Sequence, residues 1–242
     1  INNVKTFASV LMPGVQHMRH THLDEHKFVS GQPETGADRA DDLERIAMNF
    51  GPENIAACIV EPIAGSTGTL VPPKGYLQKL RETCDKHGIL LIFDEVITGW
   101  GRTGSSFASI EYGVTPDIMT MAKATTNGVV PMGVVACKDE IYDSVMDASP
   151  MGSVELFHGY TYSGIPVAVA AALAVQDIFE KEDIFNRAKN LAPYFQKGLF
   201  SLQDLESVEN IRGYGMMGGI DMKLNTKPGK AGYETFKYCY EA

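Results

Sequence analysis

A surplus of basic charge is missing from this sequence. Its 242 residues carry 21 Lys and Arg against 30 Asp and Glu, a formal net charge of −9. No basic cluster interrupts that balance, which argues against a nucleic-acid surface. Cysteine is scarce too. Cys58, Cys84, Cys137 and Cys239 show neither a CxxC pair nor metal-ligand spacing. Cys58 and Cys137 lie in apolar runs and read as reduced core residues of a cytoplasmic protein. No apolar run approaches the ~20 residues of a membrane span, and no signal peptide is legible. The sequence starts at Ile1-Asn2-Asn3 rather than at Met, which weakens any reading of targeting. No GxGxxG follows the first strand, which disfavours a dinucleotide-binding domain. No internal repeat or low-complexity tract is present.

What is there is a globular composition, 44% hydrophobic and 21% charged. That suffices to bury a core in one domain or slightly more. The stretch from Gly88 to Gly104 organises the rest. Ile89-Leu90-Leu91-Ile92-Phe93 is an unbroken apolar run, as in a parallel strand buried on both faces. At its carboxyl end come Asp94 and Glu95, then a Gly-rich turn. Ligands of open α/β sheets bind at the carboxyl ends of strands. A charge there is costly unless a cation meets it, although a turn-capping Asp is the plainer reading of this stretch alone.

A second strand alters that balance. Asp117 to Met121 is short and apolar, and it is followed by Lys123. Asp94 and Lys123 stand 29 positions apart, close to one βαβ step of ~30 residues. Both side chains can therefore share one sheet edge. By pattern Lys123 is not a solvated surface lysine, and buried lysines with lowered pKa serve as Schiff-base nucleophiles. A lysine for the aldehyde and an acid for the ring N–H⁺ is how proteins hold pyridoxal phosphate.

The remaining chain reads in order. Residues 1–36 are irregular, with Pro13, Gly14, Gly31, Pro33 and Gly36 as breakers. His17, His20, His22 and His26 crowd there, without a paired motif that would make a metal site. They are expected near a cofactor or an interface. Asp38 to Phe50 has helical apolar spacing. Ile55 to Val60 is a strand ending at Glu61-Pro62, and Gly75 to His87 is a helix ended by Gly88. Met132 to Cys137 reads as a further strand with antiparallel pairing. Glu140 to Met146 is a short helix, and Ala148 to Glu155 a mobile link. Pro166 to Phe179 is apolar nearly all round and predicts a buried helix. Ile184 to Leu202 is more amphipathic. Glu209 to Ile211 and Met217 to Met222 read as strands of a small sheet, Thr226 to Gly232 as a turn, and Tyr233 to Ala242 as a helix. The order βαβαβ, then helices, predicts an α/β fold: a mostly parallel sheet with helices on both faces, then the opening of a small α+β subdomain. Residues 1–180 and 181–242 are the expected division.

Five ordered motifs carry a resemblance. They are Ile59-Val60-Glu61-Pro62-Ile63-Ala64-Gly65, Phe93-Asp94-Glu95-Val96, Gly99-Trp100-Gly101-Arg102-Thr103-Gly104, Ala122-Lys123, and Phe157-His158-Gly159-Tyr160-Thr161-Tyr162-Ser163-Gly164. Together they resemble class III, fold-type I pyridoxal-phosphate aminotransferases over nearly the whole chain, in particular the omega-amino acid:pyruvate (beta-alanine:pyruvate) branch. The resemblance implies Lys123 as the Schiff-base lysine and Asp94 as partner of the pyridinium nitrogen. Val96 would pack on one ring face, pointing the same way as Asp94 on an extended chain. Tyr160 and Thr161 would reach the cofactor phosphate from a neighbouring subunit, so the site would be built across a homodimer. Glu61 would sit near the cofactor, a structural acid being an equal reading. Arg102 would be structural. The implied substrates are an omega-amino acid or amine as donor and pyruvate as acceptor.

Ser66 and Ile97 replace the Glu and Gln that ornithine- and GABA-type relatives carry, which favours the pyruvate branch. Trp100 stands where Phe is usual in the family, and Ile165 where His often precedes Pro166. The family's phosphate-cradling loop, its cofactor-stacking aromatic and its substrate-carboxylate arginine lie in parts that have no counterpart here. A folded but catalytically idle piece, or a mutase or decarboxylase on the same scaffold, are the alternatives.

Overall fold

The computed structural model describes residues 6–150, 156, 158–223, 227 and 229–241. Helix α1 spans Asp41–Phe50 and follows a 3₁₀ turn at Ala37–Ala40. Strand β1 (Ala57–Val60), helix α2 (Tyr76–His87) and strand β2 (Leu90–Asp94) come next. A one-turn helix α3 (Ala108–Glu111), strand β3 (Ile118–Met121) and strand β4 (Val134–Cys137) complete the first half. Helices α4 (Asp139–Ala148), α5 (Pro166–Lys181) and α6 (Ile184–Phe200) precede the strands β5 (Val208–Tyr214) and β6 (Met217–Met222) and helix α7 (Lys230–Glu241).

The main sheet runs in the order β1-β2-β3-β4. The first three strands are parallel, and β4 returns antiparallel to β3. Strands β5 and β6 form a separate antiparallel hairpin. Alternation along β2 decides which face is the core. Leu91 and Phe93 are fully buried against α1 and α2, in one cluster with Leu43, Leu77, Leu80 and Cys84. Tyr76, Leu77, Leu80 and Cys84 recur at helical spacing and form the buried stripe of α2. Leu90, Ile92 and Asp94 lie on the other face and are half-buried. The run Ile89 to Phe93 is thus covered on alternate residues rather than on both faces. On edge strand β1, Ile59 is 62% exposed.

Helix α5 departs further from expectation. Its buried residues are Ala168 and Ala172, whereas Val167, Leu173 and Ile178 are exposed. A helix apolar on every side needs cover on every side. Within this chain α5 packs against α6 and against the turn at residues 123–125. Helix α7 begins at Lys230, inside the stretch read as a turn; Gly229 with φ 83° supplies the sharp entry. Part of that stretch, part of the link at 148–155, and Phe157 lie outside the described residues.

The hairpin is tied to both ends of the fold. The Gly31 N–H donates to Gly213 O, and Phe28 N–H to Asn210 Oδ1. From the loop after β2, Arg102 O accepts from Met216 N–H at 2.8 Å. Gly215 is required there, since a Cβ would meet Arg102 O at 2.5 Å. Helix α6 adds Gln196 Nε2, which donates to Gly215 O and Met217 O.

Candidate active site

Pairing register brings three strand ends to one edge. Val60 pairs with Phe93, so Glu61 and Asp94, each one residue further, leave the sheet at the same level. Asp94 pairs with Thr120, and the ladder closes with Glu95 N–H donating to Thr120 O at 2.9 Å. Lys123 follows three residues later. The two groups singled out from sequence therefore stand at the carboxyl edge of neighbouring parallel strands, where α/β sheets place ligands.

Asp94 is half-buried, and its Oδ1 accepts the Val96 N–H at 3.0 Å. This turns the chain sharply, so Val96 opens a turn over residues 96–100 instead of continuing an extended strand. Val96 therefore does not point with Asp94 by strand alternation, as an extended chain would have it. Oδ2 of Asp94 accepts no hydrogen bond from a described residue. Lys123 is exposed and has no ion-pair partner among the described residues. That corrects the expectation of a buried lysine: the half of the sheet face next to it is open in this chain. Its backbone is unusual, with φ 49°, the left-handed region that non-glycine residues seldom occupy. Its carbonyl accepts from Gly128 N–H at 3.1 Å.

Glu61 is half-buried, and its Oε2 accepts the Gly65 N–H at 2.9 Å. It closes the loop that packs on Ile97: a Cβ at Gly65 would meet the Ile97 side chain at 2.7 Å. Glu61 thus shapes this loop through one carboxylate oxygen. Tyr160 and Thr161 open a turn before α5 and are exposed, Tyr160 by 76%. The Tyr160 N–H donates to Ser163 Oγ. No hydrogen bond or ion pair joins either residue to Asp94 or Lys123. Arg102 contributes its carbonyl to the hairpin, as described, and its side chain is exposed. A cavity of about 700 Å³ lies along β1 and residues 14–21. Of the predicted residues it is lined by Glu61, His17 and His20, and by neither Asp94 nor Lys123.

Several residues that build this edge carry no local signal. Glu95 is fully buried, and its carboxylate accepts from Thr98 Oγ1, Ala108 N–H and Ser109 N–H at 3.0, 2.7 and 2.8 Å. It caps α3 from thirteen residues away, which spacing alone does not reveal. Asp117 accepts from Leu91 N–H and pairs with Arg81 at 2.8 Å and Lys138 at 2.7 Å, pinning the far end of β2 and β3. Burial acts to raise the Asp117 pKa, but Lys138, the Leu91 N–H and Arg81 together hold it below the usual value.

Of the crowded histidines, His22 and His26 pack within the fold, whereas His17 and His20 are exposed along the cavity beside β1. His26 is buried and its ring meets His22 edge-on at 6.1 Å. His22 Nε2 lies 3.4 Å from Asn210 Nδ2. Burial, then the nearby Arg212 cation, lowers the His22 pKa. Among the described residues no group of three or more His, Cys, Asp or Glu could hold a metal ion. No described helix is long and apolar enough to cross a membrane.

An acid with one unengaged oxygen beside an unpaired amine is a donor set that fits a pyridinium ring and its aldehyde. The fold thus places an acid and an amine at the carboxyl edge of adjacent parallel strands, the edge at which α/β sheets bind ligands. The sequence profile of the class III aminotransferases matches residues 2–238, and the chain belongs to that family. It is 51% identical to an omega-aminotransferase of Caulobacter vibrioides over 98% of this chain and 54% of that protein. It is 48% identical to a beta-alanine–pyruvate aminotransferase of Pseudomonas aeruginosa over 91% of this chain and 49% of that one. Among solved structures, a transaminase with L-alanine superposes with TM-score 0.84 at 33% identity, covering 95% of this chain and 55% of the other. An (S)-enantioselective omega-transaminase of Thermomicrobium roseum gives TM-score 0.73 at 41% identity, covering 78% and 41%. The chain spans about half the length of the curated relatives it matches.

Proposed function

We propose that this chain forms the central part of an aminotransferase that moves an amino group from an omega-amino acid or amine, such as beta-alanine, to pyruvate. The observation that carries the reading is the placement of Asp94 and Lys123 at the carboxyl ends of adjacent parallel strands. Pyridoxal phosphate, when bound, supplies a ring that accepts electrons from the substrate carbon. Asp94 would keep the ring nitrogen protonated through its unengaged oxygen. Lys123 Nζ would hold the aldehyde carbon and, once displaced by the substrate amine, carry the proton taken from the substrate Cα. Val96 would support one ring face from the turn that Asp94 itself organises. Tyr160 and Thr161 would serve the phosphate site of a second subunit in a homodimer, a role for which their exposure in this chain leaves them free.

The test is spectroscopic. The full-length protein with Lys123→Ala is expected to lose the visible absorption of lysine-bound pyridoxal and to make no alanine from pyruvate. A retained band would refute the assignment.

A second reading has its own observation, the exposure of Lys123. In it, the 242-residue chain is a folded but idle piece. Titrating this chain with pyridoxal phosphate separates the two, because micromolar binding with turnover would overturn the idle reading.

A further inference from the structure

Lys123 holds a left-handed backbone conformation, φ 49°, that strains any residue other than glycine. Such strain persists where surrounding groups over-determine it. Here those groups are Trp100, Thr125 and Ala122. The Trp100 indole Nε1–H donates to Thr125 Oγ1 at 3.1 Å, and Thr125 Oγ1 donates in turn to Ala122 O at 3.0 Å. The Thr125 N–H also donates to Ala122 O, at 3.1 Å. Residues 122 and 125 flank the lysine, so this chain of bonds clamps its turn from both sides. Thr125 is 3% exposed, which leaves water little access to replace the indole.

Trp100 is itself fixed. Its ring stacks on Phe179 of α5 at 5.6 Å and 17°, and meets Phe107 edge-on at 5.0 Å. Its backbone N–H donates to Ser106 O. Trp100 also has a left-handed backbone, φ 61°, so the loop after β2 spends strain to aim this ring.

We infer that Trp100, acting through Thr125, is a positioning residue for Lys123: it fixes the turn from which the amine projects. This rests on the proposed role of Lys123. A phenylalanine, usual at this position in the family the motifs resemble, could stack but could not donate, so the indole N–H is a contact that this sequence adds.

Trp100→Phe keeps the stacking and removes the donor. Thr125→Val keeps the shape and removes the hydroxyl. In the 242-residue chain without cofactor, amide hydrogen exchange over residues 122–128 is expected to quicken roughly three- to tenfold in Trp100→Phe, the worth of one net hydrogen bond, and by more in Thr125→Val, which loses two. The double variant should be no faster than Thr125→Val, because the two act in series. Thr125→Ser should restore slow exchange. In the cofactor-loaded full-length protein, the pH midpoint of the lysine-dependent visible band should move in both single variants, with kcat reduced and KM held. Unchanged exchange and an unchanged midpoint in Trp100→Phe would overturn the inference, as would additive effects of the two substitutions. Should Thr125→Val not fold, Trp100→Phe against Thr125→Ser decides the same question. If Lys123→Ala keeps its band, the reading of the site fails instead, and the exchange measurement still reports on the clamp.

Discussion

Asp94 divides its two oxygens between fold and chemistry. Oδ1 turns the chain at Val96, and Oδ2 stays without a described partner. Asp94→Asn should therefore preserve the turn through the amide oxygen while removing the charge that holds a ring proton. In the full-length enzyme kcat should fall ~10²-fold or more, with an unchanged thermal midpoint. An activity within a factor of ten of the parent would argue against the role. That Asp94 and Lys123 stand at one sheet edge was legible in the sequence, because each is a charge just past a short apolar run. Their surroundings were less so. Val96 was assigned a direction by strand alternation, and the Asp94 side chain itself ended the strand. Lys123 was read as buried from its apolar neighbours, whereas its exposure depends on what covers the sheet face. A window of sequence does not report that.

At the scale of elements, buried acids anchor the edge from behind. Glu95 accepts three hydrogen bonds, two of them from the N-terminal N–H groups of α3. Glu95→Ala should strand those donors in the core and lower unfolding free energy by roughly 2–6 kcal/mol, measured by urea denaturation. Glu95→Gln should lose less, since one acceptor oxygen remains. Asp117 joins β2, α2 and the start of α4. Its folded pKa lies below its ordinary value, so its contribution is present above an unfolded pKa of ~4 and is lost as pH falls through the folded value. The urea midpoint of Asp117→Asn should accordingly fall less between neutral pH and pH ~3 than that of the parent. Strands and helices themselves were readable from periodicity: α2 and its Gly88 stop, β3 and the antiparallel β4 came out within a few residues. Helix α5 did not, because an apolar surface states what a helix requires, not what one stretch of chain provides.

Taken whole, the molecule is a sheet with one well-packed face and one open one. The packed face holds Leu91 and Phe93 under α1 and α2; the open one exposes Ile59 and borders Asp94 and Lys123. Each charge-assisted hydrogen bond to a phosphate is worth ~1.5–3 kcal/mol. Because this chain covers about half of its relatives, its affinity for pyridoxal phosphate should be at least ~10²-fold below that of the full-length protein. Parallel titrations followed in the visible range measure the difference. The family was legible because its motifs sit at strand ends and turns, where backbone geometry restricts the choice of residue. The amino donor was not, since Ser66 is solvent-exposed and Ile97 is spent on packing against Gly65. One more consequence belongs to Trp100, the sole indole in the chain. Excited at the red edge of its absorption, where its 10 tyrosines contribute little, the protein emits from one point, the indole bonded to the turn of Lys123. Quenching of that glow would give a direct optical count of occupied sites, with no dye and no engineered probe.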